Sequence, residues 1–104
     1  MRLLRARDFR AATAWGSDLL EQFDGQTTVK LHWTDQPYIW HVNDGPEVMA
    51  VMDGQIEMHV RKGGVEEVIL MQTGDVMQFE EGDEHVAHPL GEARLLVIER
   101  VGSI

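Results

Sequence analysis

The chain has 104 residues, a length that suits one domain with one hydrophobic core. It contains no cysteine, which excludes disulfides, thiolate nucleophiles and zinc–thiolate sites. The net charge is −9, and four of the nine basic residues fall within the first ten positions. The rest of the chain is therefore strongly acidic and is expected to repel nucleic acids and anionic membranes.

Several other classes of protein are disfavoured by missing patterns. The sequence has no run of about 18 apolar residues, so no membrane span is predicted. The first ten residues lack the apolar segment of a secretory signal. A cytoplasmic location is expected from the absence of cysteine, which suits a reducing compartment. The only serines are Ser17 and Ser103, each near a chain end, which argues against a Ser-His-Asp hydrolase. No glycine-rich nucleotide motif or H-E-x-x-H zinc motif occurs.

The first 26 residues are predicted to form an arm with at most one short helix. Asp8 is suited to cap such a helix, but Gly16 interrupts the segment. From residue 27 onward, alternating apolar residues and regularly spaced turns predict about eight short strands. Asp53-Gly54 is typical of a two-residue hairpin, and Lys62-Gly63-Gly64 of another turn. The predicted fold class is all-β, an antiparallel sandwich or barrel, with strands at 27–33, 38–42, 47–52, 55–60, 65–71, 76–79 and 94–99.

One group of polar residues follows the second predicted strand. Residues two apart on a strand point the same way, so His41 and Asn43 share a face. The chain then turns, and antiparallel pairing across that turn is expected to bring Glu47 beside His41. His85, where a strand restarts after the turn at 80–84, is the candidate for a fourth donor.

Two segments resemble the paired motifs of the cupins. The first, His41-x-Asn43-x3-Glu47-x6-Gly54, is similar to H-x-H-x3–4-E-x6-G. The second, "GDVMQFEEGDEH" at 74–85, is similar to G-x5-P-x-G-x2-H. The resemblance covers residues 33–99 and implies an antiparallel double-stranded β-helix, or jelly-roll barrel, in which residues 1–26 are the arm and 27–100 the barrel of a single domain, 1–104. It also implies a homodimer and a divalent metal held by His41, Asn43, Glu47 and His85.

Two positions depart from the cupin pattern. Asn43 replaces the second histidine of the first motif, and Glu80 replaces the proline of the second. The amide oxygen of Asn43 is a weaker and harder donor than imidazole, so zinc or nickel should be affected most. His41, Glu47 and His85 still provide the two histidines and one carboxylate of non-haem iron sites. The identity of the metal stays open among iron, manganese, nickel and zinc. The alternative is a metal-free pocket of hydrogen-bonded polar groups.

The other histidines are not assigned to this site. His32 and His59 alternate with the apolar residues of their strands, and His88 follows His85 by three positions, which reverses its direction on a regular strand. By the same parity Tyr38 and Trp40 should point away from His41, which suits a dimer interface.

Methionines are unusually frequent, with six in the chain and five between residues 49 and 77. They are expected to fill the core, and the alternative is that Met49 or Met77 lines an apolar cavity above the metal.

Acidic residues at 80, 81, 83 and 84 precede His85 and disfavour a phosphorylated substrate. Three functions stay open. The first is a metal-dependent oxygenase or isomerase acting on a small neutral or cationic molecule, in which Glu47 is either a ligand or a catalytic base. The second is a non-catalytic module that binds a small molecule, and the third is a barrel that serves dimerisation alone.

Overall fold

The computed structural model describes residues 1–103, and nearly all of its regular structure is β-strand. A single 3-10 turn, Ala6–Asp8, precedes the strands. None of the helical structure in residues 1–103 is long and apolar enough to cross a membrane. The nine strands are β1 (Gly16–Phe23), β2 (Thr27–Thr34), β3 (His41–Val42), β4 (Glu47–Asp53), β5 (Gln55–Lys62), β6 (Val65–Gln72), β7 (Val76–Phe79), β8 (Glu84–Pro89) and β9 (Ala93–Arg100).

The strands form two antiparallel sheets that enclose one core. One sheet has five strands in the order β1-β2-β9-β4-β7, and the other has four in the order β3-β8-β5-β6. Apart from the consecutive pairs β1-β2 and β5-β6, neighbours in each sheet come from distant parts of the chain, as in a jelly roll. The core lies between the sheets and is built from inward-facing residues of both, among them Val51, Ile56, Met58 and Leu95.

The expectation of a helix or free arm up to residue 26 was wrong for its second half. Gly16–Phe23 is a strand that pairs with β2 from Gly16↔Trp33 to Phe23↔Thr27. Trp15 precedes it with φ 64°, so the chain turns sharply here and enters the sheet instead of continuing a helix. The backbone N–H of Trp15 donates to the carbonyl of Trp33 at 2.9 Å, which fixes this turn.

The segment before β1 covers the outer face of the five-stranded sheet. Trp33 is 4% exposed although it faces away from the core, because the guanidinium of Arg10 lies 5.1 Å from its ring centre. Arg94, the register partner of Trp33, donates to the carbonyl of Phe9 at 2.9 Å. Trp33 therefore faces this segment, whereas the residues that alternate with it, such as His32, face the barrel interior.

Asp53-Gly54 does not make the predicted hairpin. β4 pairs with β7 and β9, whereas β5 pairs with β6 and β8, so the turn carries the chain from one sheet to the other. Gly54 has φ +82° and lies against the carbonyl of Glu92, where it leaves no room for a side chain. The turn at Lys62-Gly63-Gly64 does form a hairpin, with Lys62 opposite Val65.

Candidate metal centre

His41, Glu47 and His85 meet at one end of the barrel. One donor atom from each lies within 4.8 Å of the others. His41 and His85 are direct register partners on β3 and β8, and their ring centres are 4.3 Å apart. Glu47 reaches them from β4, in the opposite sheet. The predicted closeness of His41 and Glu47 is therefore real, but it arises across the barrel and not from hairpin pairing.

Asn43 belongs to the same cluster through its amide oxygen. Its side chain is buried, and Oδ1 lies 2.6 Å from Nε2 of His85. The amide nitrogen is turned away and donates to the carbonyl of Gly45 at 3.4 Å. This orientation leaves the oxygen facing the cluster, so the side chain presents an acceptor where a metal ligand is needed.

The distance between His85 and Glu47 fits a divalent ion, whereas the 2.6 Å between Oδ1 of Asn43 and Nε2 of His85 would have to lengthen when both bind one ion. Around an ion bound at about 2.1 Å, neighbouring nitrogen and oxygen ligands lie about 3.0–3.4 Å apart. Nε2 of His85 is 3.3 Å from Oε1 of Glu47. Nδ1 of His41 lies 3.0 Å from the carbonyl of Ile39, which can only accept, so the proton is on Nδ1 and Nε2 keeps its lone pair. Four donors of this type suit iron or manganese better than a soft ion.

His85 has one feature that weakens such a site. Its Nδ1 is buried and has no hydrogen-bond partner within residues 1–103. A metal-bound histidine normally donates its second ring nitrogen to an acceptor, and loss of that support costs about 10–100-fold in metal affinity. Phe79 partly replaces it by stacking on the His85 ring at 3.9 Å, which holds the ring plane but accepts no proton.

A cavity of about 250 Å³ opens beside the cluster. It lies below the usual range for drug-sized ligands, so it fits a smaller molecule. Its walls combine aromatic and apolar side chains with a few polar groups: Trp15, Ser17, Lys30, His32, Tyr38, Met49, Ala87, Val97, Glu99 and Ser103, in addition to His41, Glu47 and His85.

The sequence did not assign most of these cavity residues. Tyr38 was expected to point away from His41, but its ring contacts the His41 ring edge-on, with centres 5.4 Å apart. Residues 37–40 are not in a strand, so period-two alternation does not apply to them. Trp40 does lie outside the cavity, where Arg61 stacks on it at 4.2 Å. Met49 lines the cavity and also belongs to the core, whereas Met77 only packs against the core.

His32 also lines the cavity, although its alternation with apolar residues had led us to exclude it from the site. Its Nδ1 donates to the carbonyl of Trp15 at 3.1 Å. Burial lowers the pKa of His32, so the ring is neutral at pH 7. His59 and His88 stay outside the cavity, as a stacked pair on the four-stranded sheet with ring centres 4.2 Å apart.

Glu99 is a second carboxylate in the cavity. It is the register partner of Glu47 on the adjacent strand. Burial and the neighbouring charge of Glu47 raise the pKa of Glu99 to about 7. Glu99 is therefore partly protonated at neutral pH and can either donate or accept a proton.

The titration of Glu99 predicts how the stability of the metal-free protein depends on pH. Between the ordinary glutamate pKa of 4.5 and the folded-state pKa of about 7, the folded state binds more protons than the unfolded state, so the free energy of unfolding falls as pH rises. Glu99→Gln should remove this fall and be more stable than the wild type at pH 8 by about 1 kcal/mol, a value reduced for solvent exposure. Urea unfolding with chelator at pH 5 and pH 8 measures it, and equal pH slopes in both proteins would contradict it.

The comparisons with known proteins concern the fold. No protein-family model matches the chain, and no curated protein does. Among solved structures, a cupin-2 domain protein from Shewanella frigidimarina has 23% identity and a TM-score of 0.75, covering 86% of this chain and 84% of its own. A cupin superfamily protein from Desulfitobacterium hafniense has 17% identity and a TM-score of 0.78, and the match covers 96% of this chain and 91% of that protein.

The chain has the cupin fold.

A third similar structure is hydroquinone 1,2-dioxygenase in complex with Fe3+, with 20% identity and a TM-score of 0.77. The cupin barrel described here matches 29% of that longer chain, over 88% of its own length. The predicted jelly-roll class is thus confirmed, and the candidate donor residues of the two motifs, His41, Glu47 and His85, meet in the cluster.

Proposed function

We propose that this cupin protein binds a divalent metal through His41, Asn43, Glu47 and His85, and acts on a small, non-phosphorylated organic molecule as a metal-dependent oxygenase or isomerase. The observation that carries the proposal is the convergence of two histidines and one carboxylate within 4.8 Å beside a cavity. Bound iron or manganese would supply Lewis acidity and, for iron, redox chemistry with dioxygen.

The chain's own residues support this use of the cavity. Tyr38 and Phe79 hold the rings of His41 and His85 in place. Trp15 and Met49 give the cavity an apolar wall that excludes water from a bound molecule. In an oxygenase Glu47 is a metal ligand throughout, whereas in an isomerase its carboxylate would take the proton from the substrate. The similar hydroquinone dioxygenase, solved with Fe3+, favours the oxygenase.

A second candidate is a metal-free binding module. The contact of 2.6 Å between Oδ1 of Asn43 and Nε2 of His85 is a hydrogen bond that satisfies both groups without an ion. In that state the cavity would still hold a small molecule against Trp15 and Tyr38, with no turnover.

Metal content separates the two candidates. Protein purified without tag, chelator or nickel resin should contain close to one iron or manganese per chain by mass spectrometry. His41→Ala should lose that metal, because a ligand is gone. The matched control is His59→Ala, which removes a histidine outside the cavity and should keep it. An empty wild type would contradict the metal site and favour the binding module. If the wild type holds the metal, oxygen uptake in the presence of substrate would identify the oxygenase.

The predicted homodimer stays a proposal, and strand β6 is the surface that suits it. β6 is an edge of the four-stranded sheet, and its exposed residues include Val65, Val68 and Leu70. It has no lysine, arginine or proline, and its two charged residues, Glu66 and Glu67, leave residues 68–71 uncharged. A second β6 running antiparallel would complete the sheet and cover these side chains.

Sedimentation velocity tests this surface. The wild type is expected to sediment as a dimer at micromolar concentration, and Val68→Lys as a monomer, since a charge on the edge prevents pairing. Val101→Lys, at an exposed valine in the turn after β9, is the control and should stay dimeric. A monomeric wild type, or a dimeric Val68→Lys, would exclude β6 as the interface.

A further inference from the structure

Lys30 gives the cavity a cation that neither cupin motif contains. Of the nine lysine and arginine residues, it alone lines this cavity within residues 1–103. Its neighbours on β2 face the other way, toward the segment before β1. None of the ion pairs among the described residues involves Lys30. Lys30 is thus a cation in the cavity wall that no carboxylate of the described residues holds in an ion pair.

The charges in the cavity favour an anion once the metal is bound. Glu47 and Glu99 are its two carboxylates. Together they at most offset the charge of a divalent ion, whichever protonation state Glu99 has. Lys30 then leaves the cavity with a surplus of positive charge, and His32 adds none because it is neutral. A bound monoanion restores neutrality, whereas a cationic molecule would increase the surplus.

The spacing sets the size of such an anion. Lys30 lies opposite Val97 on β9, and Val97 lies opposite Met49 on β4. Lys30 and Glu47 are therefore two strands apart and offset by two residues, which separates their Cα atoms by roughly 10–12 Å. A molecule of about one ring can span the space between the two side chains. The walls along that path are Trp15, Tyr38 and Val97, which favour a flat, apolar body.

We infer that Lys30 binds the carboxylate of a small planar organic acid whose opposite end reaches the metal donors. This inference rests on the proposed function and replaces the expected neutral or cationic substrate with an anionic one. The acidic residues beside His85 do not oppose it. Charges outside the barrel are screened by salt, whereas Lys30 acts inside the cavity at short range.

Benzoate and benzamide test the inference, because they share a shape and differ in charge. Isothermal titration of manganese-loaded wild-type protein should show benzoate binding at least tenfold more tightly than benzamide. Lys30→Met keeps the length and apolar volume of the side chain without its charge. It should weaken benzoate binding by about 10- to 100-fold, as expected for a lost hydrogen bond to a charged group, and leave benzamide unchanged.

The controls separate this inference from the metal proposal. Metal content is measured on every sample, so an empty site is recognised independently of ligand binding. If the wild type binds no metal, the uncompensated charge of Glu47 opposes every anion. The comparison that then decides is benzoate binding by the wild type against Lys30→Met, which should still be weaker in the variant. Lys30→Arg, which keeps the charge, should retain the preference. Equal binding of the two probes by the wild type, or equal benzoate binding by wild type and Lys30→Met, would overturn the assignment.

Discussion

Asn43→His should tighten the binding of zinc and nickel by at least about tenfold and change that of manganese much less. The amide oxygen of Asn43 faces the cluster, 2.6 Å from Nε2 of His85. Replacing it with imidazole exchanges a hard oxygen donor for a nitrogen that zinc and nickel prefer, and manganese gains little from the exchange. Competition titrations with a chromophoric chelator measure the three affinities.

Two further variants at the same position separate donor chemistry from packing. Asn43→Asp keeps the size of the side chain and adds a charge, so manganese binding should tighten. Asn43→Ala removes the donor, and all three ions should bind more weakly, because the site loses one ligand. If Asn43→Ala binds every ion as the wild type does, Asn43 is not a ligand and the site depends on His41, Glu47 and His85 alone.

The sequence predicted the cluster because its members belong to motifs with fixed spacing. His41, Asn43 and Glu47 lie within seven residues, and His85 follows a glycine turn that places it at the start of a strand. The expected antiparallel pairing across the turn was wrong, since Glu47 reaches His41 from the opposite sheet. Local spacing identified the residues, whereas only the closure of the barrel brings their donor atoms together.

The opposite wall of the cavity was missed because alternation does not reveal which face of a strand is inside. In β2 the alternation of His32 with the apolar residues Leu31 and Trp33 had excluded His32 from the site. The structure reverses this, because residues before β1 cover the apolar face and the polar face lines the cavity. An apolar strand face is buried by whatever covers it, and here the cover comes from a segment that the sequence suggested was a free arm.

The turn at Asp53-Gly54 likewise shows that a local pattern does not reveal what its neighbouring strands pair with. Its residues predicted a tight turn correctly, because Gly54 has a positive φ. They could not show whether the strands on either side pair with each other or enter different sheets. That choice depends on β9, which pairs with β4 and lies forty residues later in the chain. The positive φ of Gly54 is thus a local property of the turn, whereas its close approach to Glu92 depends on how the barrel closes.

Gly54→Ala should therefore lower the stability of the protein far more than an ordinary glycine substitution. A Cβ at this position would meet the carbonyl oxygen of Glu92, a backbone atom that cannot rotate away, and the φ of +82° is unfavourable for alanine. Together these effects should cost about 2–4 kcal/mol, a fall in Tm of at least about 10 °C for a chain of this size. Calorimetry or thermal unfolding by circular dichroism measures it.

Gly63→Ala is the matched control, because Gly63 also has a positive φ, +59°, but no atom would lie within 4 Å of its Cβ. It should lose about 1–2 kcal/mol, the conformational cost alone, and less than Gly54→Ala loses. The difference between the two variants then measures the contact with Glu92, which holds the start of β9 against the turn between the sheets. Equal losses would mean that the backbone at Glu92 yields easily. In that case the sheet-to-sheet turn would not be the rigid corner on which the position of β4, and with it Glu47, depends.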